Sequence, residues 1–354
     1  MQISFNYLYK KARAKMKNKI RISLILLIIA SIMMFSGCSK NETKNTVDNT
    51  EFDSLAITTA LVHGNPSGVW FMLGTAISES LSKSYPGSIM HANPGQSAAN
   101  LFRLNNNETA FALTHSSLAY EAINGLGQFD EIMDNMGGIA VFYPSPLQFV
   151  VKSDKGVTTF DDFIENKVPL KLSLSSKGGN SEIAFYNLIS LYGLTREDLE
   201  DWGCKFYSIG LRDSGDSFSD GVIDGLFIMA SVPTPTLQQM ATNAELTMIS
   251  IRTDKIDELK EKHGYNEFDV PVGSYDFVVE DIASFTTYTM LGASLQTSEE
   301  YVYKVTKSLV ENIDYLKTVH SSLANVSAES FIINLGMPMH PGAEKYYKEI
   351  GLID

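Results

Sequence analysis

The chain has 354 residues, 44% of them apolar and 19% charged, with 28 cations against 41 acids and a formal charge of −13. That composition is that of a folded globular protein, and its acidity sets the surface against nucleic acid and anionic headgroups as partners. Two cysteines, at 38 and 204, exclude a disulfide framework, and Cys204 reads as a small core residue near a strand.

The first 37 residues read as an export signal. Seven cations (Lys10, Lys11, Arg13, Lys15, Lys17, Lys19, Arg21) precede an apolar run from Ile22 to Phe35, and no acid occurs before Glu42. The run is short for a membrane span. It ends in Phe35-Ser-Gly-Cys38, which resembles a lipoprotein signal whose cysteine takes a diacylglyceryl group, with Phe35 where leucine is usual. An uncleaved membrane anchor is the alternative, and Met16 would open an equally ordinary leader. Both readings place the remainder outside the cytoplasm on a tether. Without the leader's seven cations the chain carries 21 cations against 41 acids, a charge of −20. Residues 38–52 form a polar, flexible tether whose extended reach is roughly 45–50 Å. The rest exceeds one usual core, so two domains are expected.

From residue 54 onward, short apolar runs alternate with helical periodicity. A strand over 54–62 is followed by a helix over 67–84, with Trp70, Leu73, Ile77 and Leu81 on one stripe. Strands over 88–91 and 110–114 enclose a helix over 96–106, and a helix over 117–124 follows. Strands over 139–143 and 147–152 are expected on either side of a turn forced by Pro144-Ser-Pro146. Helices over 160–164, 181–192, 212–220, 233–243 and 253–262 then alternate with strands over 170–174, 205–208, 223–228 and 246–250. A strand over 285–291, a long amphipathic helix over 298–319 and a last helix over 341–350 complete the pattern. The alternation predicts an α/β fold with largely parallel sheets. Two β-rich passages without helices, 139–152 and 276–291, suit two lobes joined by two crossings, with a hinge and a ligand cleft between them. A single larger doubly wound sheet is the alternative.

Three strand-to-helix turns are rich in small residues: HGNPSG (His63 to Gly68), NPGQS (Asn93 to Ser97) and SSKGGNSE (Ser175 to Glu182). Each offers free backbone N–H groups and glycines, which suits a small anion such as a carboxylate, although every helix needs a cap. No GxxxxGK[ST] or GxGxxG spacing points to a nucleotide, and no cofactor is expected. No HExxH, HxH or CxxC pairs the histidines at 63, 91, 115, 263, 320 and 340, so no metal site is expected. No GxSxG elbow occurs, and His63, His115 and Ser67 leave only an unusual nucleophile–base pair open. Asp161-Asp162 and Glu299-Glu300 read as charges at helix starts. Arg103, Arg196, Arg212 and Arg252 read as exposed rather than as an anion clamp.

Five ordered segments carry a family resemblance over nearly all of residues 54–354. They are GNPSGVWFMLG (Gly64 to Gly74), GQSAANLFRL (Gly95 to Leu104), YPSPLQFVVKSD (Tyr143 to Asp154), DGVIDGLFIMASVPTPTL (Asp220 to Leu237) and HPGAEKYYKEIGL (His340 to Leu352). Together they resemble the TAXI-type solute receptors of TRAP transporters. Departures fall at Gly178-Gly-Asn-Ser181, where relatives have Gly-Ser-Gly-Thr, at Ser117, where they often have Asp, and at Ser231-Val232, where they have a Gly-Tyr-like pair. The resemblance implies a periplasmic-binding-protein-like, two-lobe α/β fold. Lobe I would cover 53–150, lobe II 151–275, and the hinge return with the rest of lobe I 276–354. It implies no enzyme. It implies a tethered receptor that captures a small solute, an amino acid such as glutamate or a small carboxylate, and delivers it to a TRAP-type permease. Lobe I contacts would come from Ser67, Gly68, Val69, Trp70, Ser97 and Asn100. Lobe II contacts would come from Gly179, Asn180, Ser181 and Ser231. The His340–Tyr347 signature reads as structural, with Pro341 in the first helical turn. A ligand-binding module reporting to a membrane sensor would use the same cleft, and a tethered extracellular enzyme is a more distant alternative.

Overall fold

The computed structural model describes residues 55–64 and 68–354. The export signal, Cys38, the tether and Ser67 lie outside the described residues. The chain begins with β1 (Thr58–Val62), α1 (Val69–Ser84), β2 (Ile89–Asn93), α2 (Ser97–Asn105), β3 (Phe111–His115) and α3 (Ser116–Asn124). A long strand, β4 (Met136–Lys152), leads into α4 (Phe160–Glu165), β5 (Lys171–Ser173), α5 (Asn180–Ser190), α6 (Arg196–Asp201), β6 (Lys205–Tyr207) and α7 (Leu211–Ser219). Then come β7 (Gly225–Met229), α8 (Pro235–Ala241), β8 (Leu246–Met248), α9 (Thr253–His263) and β9 (Asn266–Val270). A second long strand, β10 (Ile282–Ser294), precedes α10 (Glu299–Glu311), α11 (Ile313–Val319), α12 (Ala328–Phe331) and α13 (Pro341–Glu349).

The strands pair in the order β2-β1-β3-β10-β4-β7-β5-β6, with β8 added on β4 and β9 on β10. β1 is parallel to β2 and β3, and β5 is parallel to β6 and β7. β4 and β10 run antiparallel to every partner. The sheets are therefore mixed, not largely parallel. Each long strand runs on from one lobe into the other and does not return through a helix, so it lacks the crossover a parallel neighbour requires.

The period-2 alternation of the strands places an apolar core on each face of each sheet. In the first lobe Leu61 and Ala140 belong to one core, with Leu73, Ile77, Leu81 and Tyr347. Their neighbours Val62 and Val141 belong to the opposite core, with Leu101, Leu118 and Met290. In the second lobe Phe149 and Phe227 face Phe160, Phe163 and Phe185, while Val150 and Ile228 face Phe218, Leu237 and Met240. β4 passes from the first pair of cores to the second between Tyr143 and Leu147, and β10 makes the reverse passage between Phe285 and Met290. The fold is thus a two-lobe α/β architecture joined by two strands. The crossing is buried but polar, with Ser145, Thr286, Thr287 and Thr289 all inside.

Pro144 and Pro146 do not break β4 into two strands as expected. Residues 144–146 pair with Thr286–Tyr288 of β10, whereas β7 joins the other edge of β4 only from Leu147 onward. Prolines are tolerated where one strand edge asks for no donor. The helix expected over 298–319 is also divided, at Asn312, whose amide donates to Ser308 O at 2.8 Å and Ser84 Oγ at 3.0 Å. That side chain competes with the helix for backbone groups. The short α6, β9 and α12 had no clear sequence signal. Asp162 closes a capping box with Thr159 at the start of α4, and hydrogen bonds from Thr158 and Thr159 hold its carboxyl down at about 2. Cys204 is buried just before β6. Pro341 opens α13, and Tyr347 Oη donates to Ile139 O at 3.0 Å, fastening the C-terminal helix to β4.

Candidate functional site

In open α/β sheets, ligands sit beyond the carboxyl ends of parallel strands, where helix N-termini gather. In the first lobe those ends are His63 after β1, Asn93 closing β2 and His115 closing β3. Gly68 caps α1 with extended backbone, Val69 packs half-buried on the core, and Trp70 turns its ring toward the crossing. Trp70 Nε1 donates to Thr289 Oγ1 at 3.1 Å, and its ring lies 4.8 Å from that of His115. Ser97, the first residue of α2, brings its Oγ to 3.0 Å from His115 Nδ1. Thr114 Oγ1 donates to Ser97 O at 3.2 Å, so the starts of α2 and α3 are held together. Behind this group, Thr287 Oγ1 accepts from Ser117 N at 3.0 Å.

This surface is neutral at ordinary pH. Burial pushes the His115 imidazole down to about 3 and the Tyr143 phenol up to about 12. Burial also lowers His63, against an opposing hydrogen bond to Gly64 O. The Ser97–His115 pair has the spacing of a nucleophile and its base. A base with so low a pKa accepts a proton poorly near neutrality, where general bases work best. The pair is a polar contact surface.

Asn100 ties the strand ends of the first lobe together. It is fully buried, and its amide donates to His63 O at 2.8 Å and Leu113 O at 2.7 Å. Both amide hydrogens are thus used to tie the ends of β1 and β3 together.

The second lobe presents the turn from β5 into α5. Ser175 and Gly178 are both left-handed, at φ 65° and 68°, and Gly179 caps α5. Gly178 N donates to Glu182 Oε2 at 2.6 Å, so a carboxylate of the chain already occupies part of this helix start. Asn180 is 6% exposed, and neither polar atom of its side chain has a hydrogen-bond partner among the described residues. Ser181 Oγ accepts from Met229 N at 3.0 Å, which links α5 to the end of β7. Ser231 contributes its carbonyl to Thr234 Oγ1 at 2.7 Å, ahead of a cis Val232–Pro233 bond. The two lobes meet here: a Cβ at Gly178 would lie 3.7 Å from Gln96 Oε1, at the start of α2.

The structure therefore groups Gly68, Val69, Trp70, Ser97 and Asn100 on one lobe and Gly179, Asn180, Ser181 and Ser231 on the other. His115, Thr287 and Thr289 join them without having been expected to contact a solute. The hydroxyl-rich run Ser284-Phe-Thr-Thr-Tyr-Thr289 was the available signal, since a buried central strand seldom carries so many hydroxyls. Among the described residues no group of three His, Cys, Asp or Glu could hold a metal ion, and no helix is long and apolar enough to cross a membrane.

Residues 61–351 match the family model described as the NMT1-like family. Among solved structures, the periplasmic binding protein BugD is similar at a TM-score of 0.48 and 13% identity, over 84% of this chain and 94% of that one. MatC from Rhodopseudomonas palustris with bound malate is similar at 0.46 and 13%, over 83% and 97%. A TctC solute binding protein from Polaromonas is similar at 0.44 and 17%, over 84% and 98%.

Proposed function

The chain belongs to the NMT1-like family, and from that premise we propose that it is an extracytoplasmic solute-binding lipoprotein of the TAXI type. It captures a small solute between its lobes and delivers it to a TRAP-type permease. The observation that carries the reading is the approach of two helix-start turns, one from each lobe, at Gln96 and Gly178. Between them lie neutral donors and acceptors, with the Glu182 carboxylate held at Gly178 N on the second lobe's side. An amino acid such as glutamate, or a small carboxylate, is the solute class this reading favours, held by hydroxyls and backbone N–H groups. In this reading lobe I takes residues 53–143 and 290–354 and lobe II residues 147–285, a wider second lobe than 151–275. Binding by closure of two lobes follows from contacts that exist only when both lobes reach the solute.

The test is mass spectrometry of small molecules released when purified residues 52–354 are denatured, with thermal shift against L-glutamate and succinate on the same sample. A single co-purified amino acid or carboxylate that raises the melting temperature supports capture. Ser97→Ala should then weaken its binding about 10-fold, the loss of one hydrogen bond in a dry site. An empty protein unmoved by either compound would sink this solute class.

A further inference from the structure

A second polar contact joins the lobes away from the candidate solute site. Glu121 lies on α3 and is fully buried, between Leu118, Ala119 and Ala122 of the first lobe's core. Its partners belong to the second lobe. Asn187 of α5, next to core residues Phe185 and Leu188, donates from Nδ2 to Glu121 Oε1 at 2.6 Å. His263, the last residue of α9, brings Nδ1 to 2.7 Å from the same oxygen. Ile256 and Leu259 of α9 lie in the second lobe's core. Around this contact the backbones come close. A Cβ at Gly264 would meet Tyr120 Cγ at 2.5 Å, and one at Gly127 would meet Glu121 Oε2 at 2.7 Å. Tyr120 Oη also donates to Glu261 O at 3.0 Å.

A carboxylate taken out of water is costly unless a cation or several donors replace its hydration. Among the described residues His263 is the one ion-pair partner of Glu121, and Oε2 has no hydrogen-bond partner. The other titratable groups facing the contact are the buried Tyr265, whose Oη is 3.5 Å from Asn187 Nδ2, and Tyr120. Lys262 is paired with Glu258 on the exposed side of α9. Two lobes joined by two strands can pivot, and a buried polar contact formed outside those strands selects one arrangement of them.

We propose that Glu121 is a positioning residue that holds the lobes in their approach, through His263 and Asn187, without touching the solute. The inference goes beyond solute capture and does not need that reading to hold. Its consequence is a lobe arrangement that loosens when Glu121 loses Asn187 and His263 as partners.

The experiment uses spin labels at Ser82→Cys on the first lobe and Asp220→Cys on the second, both exposed positions, in residues 52–354 with Cys204→Ala. That stretch forms one compact unit. No solute is added, so the outcome is separate from the identity of any ligand. Inter-label distances are read at one fixed pH. The expected result is one narrow distance in the protein with all three side chains in place. Glu121→Ala should show a broad distribution. Asn187→Ala and His263→Ala should fold and broaden the distribution as well, which keeps the test decisive if the Glu121 variant does not fold. The unaltered narrow distance in both of those variants would overturn the proposal. So would a folded Glu121→Ala with the wild-type distance, whatever its melting temperature.

Discussion

His115 is sealed between Ser97 and the Trp70 ring, and burial holds its pKa at about 3 against an ordinary 6.5. The unfolded chain binds a proton at this residue below about 6.5, while the folded chain does not until about 3. Stability from this residue is therefore complete above about pH 6.5 and falls as the pH drops toward 3. At pH 5 the loss is about 2 kcal/mol relative to pH 8. Urea titrations at the two pH values should show that difference, and His115→Gln should remove about that much of it. A variant with the full acid sensitivity of the wild type would place the effect elsewhere. The sequence marked His115 as a strand-end histidine but carried no sign that it would be dry. Asn100 was legible as part of the turn, whereas its use as a tie between β1 and β3 depends on two carbonyls that are 37 and 13 residues away.

Among the elements, β4 serves both sheets. Its first part pairs with β10 and its second with β7 and β8. Gly225, at the start of β7, lies so close that a Cβ there would meet Val150 O, a backbone atom that cannot swing aside. Gly225→Ala should therefore cost about 1–3 kcal/mol, read as a lowered midpoint in urea, as forced overpacking does. An unchanged midpoint would mean that β4 and β7 separate more easily than their pairing implies. Most helices and strands were legible because each carries its own periodicity and its own cap or glycine. The continuity of β4 was not. Pro144 and Pro146 break a strand that has neighbours on both edges, and which edge is free depends on where β7 joins.

At the scale of the whole molecule, the proposed acylation of Cys38 carries a prediction about where the protein works. Cys38→Ala should abolish incorporation of labelled palmitate and release the protein from membranes into the soluble fraction. Label still entering the variant would refute the lipoprotein reading. The export pattern, the acidic charge, the alternation of strands and helices and the glycine-serine turns were all present in the sequence, because each is a local property of neighbouring residues. Tertiary structure alone decided the rest. It put one core on each face of each sheet, carried β4 and β10 through both lobes, dried the His115 imidazole and buried Glu121 against His263. Those outcomes rest on contacts between residues far apart in the chain, such as Trp70 and Thr289, 219 positions apart. Their energy comes from burial and desolvation, which no stretch of sequence contains by itself.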